Sequence, residues 1–178
     1  MIRIVSLFLV LVLLLGSFGT THLEDPAQYG QIDESIPFPS FFPESVTPFQ
    51  VNAYSYTLYS YMDVCYEIFL DLTVTRPQLE ELLTKVRACA LEEKQAYYAE
   101  GYFELVFTDE YSLHPEEESA NVWNARIEKV IYNPETCHIV FESFDAFDSG
   151  VYPLEEVAYF NRFGIDQVEY MRALEKKG

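Results

Sequence analysis

The sequence predicts an α+β domain: an antiparallel sheet of about four to five strands packed on one long helix, followed by two short C-terminal helices. Three observations carry this expectation. Between Tyr54 and Val74 apolar residues alternate with period two, the mark of strand with one face buried. From Leu79 onward, Leu82, Leu83, Val86 and Ala90 continue a single apolar stripe at helical spacing. The strand-like runs follow one another through short loops, which pairs neighbours antiparallel.

Met1–Arg3 is basic, Ile4–Leu15 is apolar except for Ser6, and Gly16, Ser17, Gly19, Thr20 and Thr21 are small or polar. That order is the order of a secretory signal, residues 1–19, with cleavage expected after Gly19. The apolar run is shorter than the roughly 20 residues a spanning helix needs, and retention as an uncleaved anchor is the alternative. No Lys or Arg occurs between Arg3 and Arg76, an asymmetry that places the terminus inside and the chain outside.

Residues 20–50 read as an extended arm. Pro26, Pro37, Pro39, Pro43 and Pro48 are interleaved with Phe38, Phe41, Phe42 and Phe49. Proline removes backbone donors and restricts the residue before it, so neither a helix nor a central strand runs through. Four exposed Phe rings would forgo about 1.5–3 kcal/mol of burial apiece, so the arm is expected to dock on its own domain.

That domain spans residues 51–178. Its first strands carry Tyr56, Leu58, Met62, Val64, Tyr66, Ile68, Leu70, Leu72 and Val74 on one parity, with a bend near Tyr61–Asp63. Thr75 and Gln78 form a capping-box pattern around Pro77, opening the long helix from Arg76 to about Lys94. Tyr102–Thr108 is a strand ended by Asp109-Glu110. Val122–Tyr132 and Cys137–Phe144 form a hairpin around Asn133-Pro134, a turn initiator. Pro153–Phe163 reads as helix stopped by Gly164, and Asp166–Glu169 opens a last helix to about Lys176. The element order is similar to that of helix-on-curved-sheet folds of the cystatin-like kind.

Composition narrows function by exclusion. Among 178 residues, 29 are acidic and 11 basic, a formal charge of −18. This opposes nucleic-acid binding, which needs a basic footprint, and adhesion to anionic headgroups beyond the N-terminal signal. At 49% apolar and 16% aromatic the chain is rich enough to fold.

No nucleophile elbow, zinc-protease motif, phosphate loop or Cys-x-x-Cys pair is present. His22 lies beside the cleavage site, and His114 precedes Pro115. His138 adjoins Cys137, but strand neighbours point to opposite faces. No catalytic residue, cofactor or metal site is assigned, and the acids at Glu116–Glu118, Asp145 and Asp148 read as solvated surface. Cys65 and Cys137, both on strands, form the candidate disulfide, against the alternative of three buried thiols. Cys89 is expected on the buried side of the long helix. Tyr59 and Tyr61 share a parity with Asp63 and Glu67 and are the candidate exposed contact residues.

The expectation is a secreted or envelope-tethered, non-catalytic binding domain, with an envelope protein, a basic peptide or a glycan as partner. The alternative is a small-molecule binder or hydrolase with a cavity between the long helix and a curved sheet.

Overall fold

The computed structural model describes residues 19–32, 36, 38–60, 64–113, 123–146 and 157–166. Its framework is a seven-stranded sheet. The strands are β1 (Gly19–Leu23), β2 (Gln50–Ser60), β3 (Val64–Thr73), β4 (Glu92–Gln95), β5 (Phe103–Leu113), β6 (Trp123–Asn133) and β7 (His138–Asp145). In space they run β1-β2-β3-β7-β6-β5-β4, with every adjacent pair antiparallel. Among the described residues two α-helices accompany them, α1 (Arg76–Arg87) and α2 (Ala158–Phe163), with a 3-10 turn at Pro26–Gln28.

This corrects the expected architecture of four to five strands on one long helix. The apolar stripe is real: Leu79, Leu82, Leu83 and Val86 are buried. The helix nevertheless ends at Arg87 and not near Lys94. Residues 88–95 are, apart from Cys89, good helix formers, yet the chain turns and pairs with β5, beginning with the Leu91 amide on the Val106 carbonyl at 2.8 Å. Strand pairing overrides local propensity here. Arg87 helps to fix the turn by reaching the Glu93 carboxylate and the Tyr132 hydroxyl, both at 2.8 Å. Cys89 therefore lies past the helix end and is exposed, not buried on a helix face. A 12-residue helix beside seven strands is also unlike the cystatin-like order of a long helix on a curved sheet.

The other elements differ in extent. β5 continues past Asp109-Glu110 to Leu113, because Asp109↔Ile127 through Leu113↔Trp123 keep its pairing with β6. The hairpin of β6 and β7 turns through Pro134–Cys137, where Asn133 Oδ1 accepts the amides of Glu135 and Thr136 at 2.9 and 3.1 Å. α2 stops at Gly164, whose φ of 61° is left-handed, a conformation glycine adopts at no steric cost. The expected signal, most of the predicted last helix and the front of the Pro153–Phe163 helix lie outside the described residues.

Both faces of the sheet are covered. On one face, Tyr54, Tyr56 and Leu58 of β2, Ile68, Leu70 and Leu72 of β3, and Ile139 and Phe141 of β7 pack beneath α1 and the arm. Phe41 stacks on Phe107 with centroids 4.1 Å apart, and Phe42 leans on Phe141 at 5.4 Å. Tyr29 closes the arm by donating to the Pro43 carbonyl at 2.6 Å. The amide of Gln78 joins arm to helix, its nitrogen donating to Pro48 O at 3.0 Å while its oxygen accepts the Thr75 N–H at 2.8 Å. On the opposite face a smaller cluster forms beneath α2, around Cys65, Phe69, Ile127, Ile131, Val140, Phe144, Val157, Tyr159 and Phe160.

Candidate functional site

The face beneath α2 holds a set of ionisable side chains that the alternation of β3 seemed to assign to solvent. Period two puts Glu67 and Asp71 on one face with Cys65 and Phe69. The register then carries that face across the sheet. Phe69 is opposite Glu142, Glu142 is opposite Lys129, Ile131 is opposite Glu104, and Glu104 is opposite Lys94. Diagonal and direct neighbours therefore form a belt, Glu67–Glu142–Lys129–Glu104–Lys94, across five strands. It is buried at its centre: Lys129 and Glu142 are 0% exposed, and Glu67 and Glu104 2%.

Burial of a charge is costly unless it is paired, and the belt alternates accordingly. Lys129 Nζ lies 4.0 Å from Glu104, and Lys94 Nζ lies 3.4 Å from the same carboxylate. The Tyr98 hydroxyl donates to Glu104 at 2.7 Å. Glu67 Oε1 accepts the backbone N–H of Ala158, in the first turn of α2, at 2.6 Å. Burial and the adjacent Glu67 carboxylate push the Glu142 carboxyl well above the ordinary carboxylate range, against a smaller opposing pull from Lys129. Burial and the neighbouring carboxylate thus favour the protonated form of Glu142, both of whose carboxyl oxygens are buried.

A second group centres on Asp71, which is buried. Its Oδ1 is 2.6 Å from His138 Nε2 and accepts from Asn52 Nδ2 at 2.8 Å, while Arg162 of α2 donates to its Oδ2. On the far side of the imidazole, the Tyr102 hydroxyl is 2.8 Å from Nδ1. Burial alone would raise the Asp71 pKa. The hydrogen bonds from His138, Asn52 and Arg162 outweigh it, and the net displacement is downward. The Tyr102 phenol is pushed up, chiefly by burial. This is the wrong direction for an activated nucleophile, so the Asp71–His138–Tyr102 chain reads as a positioning network.

Asp71→Asn tests that network. Keeping shape but removing charge is expected to lower stability at neutral pH by about 1–3 kcal/mol, the usual cost of mispairing a buried charged hydrogen bond. The native pKa lies below the unfolded one. The charge therefore stabilises above the ordinary Asp range, and that contribution is lost as pH falls through the lowered value. The acid limb of a stability-versus-pH curve, measured by urea unfolding, is expected to be shallower in the variant.

The residues singled out from sequence are not brought together. Tyr59 is half-buried against the cluster under α2; Tyr61 lies outside the described residues, as do His114 and Asp148. His22 is on edge strand β1, with Nδ1 2.8 Å from the Thr57 hydroxyl. Cys65 and Cys137 form no disulfide and lie near opposite ends of the β3–β7 pair, since Tyr66 faces Asp145 and Thr73 faces His138. About eight residues of strand at roughly 3.3 Å each separate them, far beyond disulfide reach. Among the described residues, no group of three or more His, Cys, Asp or Glu side chains is placed to hold a metal ion. Nor is any described helix long and apolar enough to cross a membrane.

A shallow groove of about 470 Å³ lies between the arm and the outer side of α1, lined by Pro43, Glu44, Pro48, Phe49, Glu81 and Lys85 among others. The interface between α1 and the sheet is filled by Leu79, Leu82, Leu83 and Val86. No protein-family model, curated protein or solved structure matches the chain.

Proposed function

We propose that this chain is an exported or envelope-tethered, non-catalytic binding domain whose partner presents clustered positive charge, such as a basic peptide segment. The observation that carries this reading is where the cations go. Six of the seven described lysines and arginines pair with a carboxylate of the same chain: Lys85 with Glu44, Arg87 with Glu93, Lys94 with Glu92, Arg126 with Asp145, Lys129 with Glu104, and Arg162 with Asp71. The seventh, Arg76, donates to the Pro134 carbonyl. With the cations turned inward or matched, the excess of a chain at −18 is left to exposed carboxylates such as Glu24, Glu80, Glu81, Glu100 and Glu135. Such a surface attracts and orients cationic partners. The filled α1–sheet interface and the raised Tyr102 phenol speak against the small-molecule or hydrolase alternative.

Calorimetric titration of the full chain with oligolysine, and with a size-matched neutral peptide and oligoglutamate, tests the proposal. Saturable binding of oligolysine alone is expected to persist at about 0.15 M salt, where diffuse attraction is screened beyond about 8 Å. Binding that vanishes at that salt, or that is equal for the neutral peptide, would overturn it.

A further inference from the structure

The belt beneath α2 contains three carboxyls, on Glu67, Glu142 and Glu104, and two ammonium groups, on Lys129 and Lys94. Carboxyls outnumber ammonium groups, the more so because Lys94 also pairs with Glu92 at 2.8 Å, so the buried layer comes nearer to neutrality when a carboxyl holds a proton. α2 rests directly on this balance, because one β3 carboxylate holds each of its ends: Glu67 accepts the Ala158 amide and Asp71 binds Arg162. We propose that the Glu67–Glu142 pair is a proton-operated latch for α2, which stays docked while Glu142 is protonated and is released when that proton is lost.

The geometry says why release falls on α2. When Glu142 ionises, two carboxylates face each other in a site that excludes water. The strands bearing them cannot separate: β3 and β7 pair from Tyr66↔Asp145 to Thr73↔His138, and each has a further neighbour on its other side. α2 has only six residues. Its further contacts include the packing of Val157, Tyr159 and Phe160, the edge contacts of Phe163 with Tyr98 and Tyr102, and the approach of Arg162 to His138 at 3.4 Å, all at or beyond its second residue apart from Val157. Lifting its first turn lets water reach Glu67 and Glu142 at the smallest loss of structure. The face then uncovered carries Phe69, Ile131, Val140 and Phe144 alongside the charged belt.

Other ionisable groups around the pair are Tyr59 of β2, Asp71 of β3, His138 of β7, Tyr98 and Tyr102 ahead of β5, and Tyr159 and Arg162 of α2. Of these, the Tyr102 hydroxyl is pushed up in pKa, chiefly by burial. The expected direction follows from the raised pKa of Glu142, caused first by burial and then by Glu67. The docked state holds a proton that the released state does not. Docking is therefore complete below the ordinary carboxylate range and is lost as pH rises through Glu142's own raised value.

Site-resolved hydrogen exchange on the full chain tests the latch. Amide exchange of Tyr159–Phe163 is compared with that of Ile139–Phe141, from about pH 6 to about pH 9 after correction for base catalysis. A rise of at least about tenfold in the relative exchange of α2 is expected, and Glu142→Gln, a neutral isostere, is expected to abolish it. An equal rise in Glu142→Gln, or none in the wild type, would overturn the proposal. Carboxyl carbon NMR of the wild type gives a reading that does not depend on the variant folding. One Glu carboxyl must titrate well above about 4.3, and ionisation of every carboxyl in the ordinary range would equally overturn the latch.

Discussion

Lys129→Ala is expected to cost about 3–5 kcal/mol, the range for breaking a buried ion pair by removing one partner. That is a large part of the total stability of a typical domain. Lys129 is 0% exposed on the central strand pair β6–β7 and lies between Glu142, directly opposite, and Glu104, 4.0 Å away. Its removal leaves carboxylates in a water-excluded layer with only Lys94 as compensation, and a cavity where the aliphatic stem lay. Lys129→Met separates these effects, because it fills the volume without the charge. It is expected to remain strongly destabilised, and adding Glu104→Gln should recover part of the loss. Urea unfolding of the wild type, Lys129→Met, Glu104→Gln and the double variant gives the coupling. The deficit should also shrink toward acid pH, where protons neutralise the carboxyls that Lys129 otherwise balances. A loss under about 1 kcal/mol would mean that the belt is hydrated in solution and that its charges do not depend on one another.

That the face bearing the belt is covered is legible in the sequence; the belt itself is not. The parity of β3 that carries Glu67 and Asp71 also carries Cys65 and Phe69, a mixture that a solvated face has little reason to hold. β7 reads His-Ile-Val-Phe-Glu-Ser-Phe, apolar on both parities apart from isolated polar residues, as expected for a strand covered on both sides. What local pattern cannot supply is the register. Glu142 meets Lys129 and Glu67 only because β7 inserts between β3 and β6, an adjacency set by long-range pairing. The same limit explains the misread helix. The stripe through Val86 identified α1, but the edge pairing that converts Glu92–Gln95 to strand lies in β5, and nothing within residues 88–95 announces it. The turn between β6 and β7 was legible because its signal is local, in Asn133 and Pro134. The role of Arg162 was not, since its partner Asp71 is on a distant strand.

Phe42→Ala is expected to lower stability by about 3–5 kcal/mol, the range for truncating a buried aromatic. The ring is 2% exposed and is held on several sides, by Phe141 of β7 at 5.4 Å and by Phe41 and Phe38 of the arm at 5.1 and 5.5 Å. The position of Phe42 between the arm's own aromatics and a central strand makes the loss larger than that of one contact. Without the ring, Phe38 loses its edge contact, and Phe41 keeps its stack on Phe107 with less support behind it. Phe38→Ala is the comparison, because Phe38 is half-buried and meets Tyr29 at the rim of the arm. It should cost distinctly less. Proline on either side of the pair, Pro39 and Pro43, limits the conformations open to the unfolded arm and reduces the entropy lost when it docks. The arm therefore behaves as part of the core in unfolding, in one cooperative step with the sheet. Thermal unfolding of both variants, followed by circular dichroism, measures this. A Phe42→Ala protein with an unchanged melting temperature would show that the arm is a spacer lying on the sheet without contributing to it.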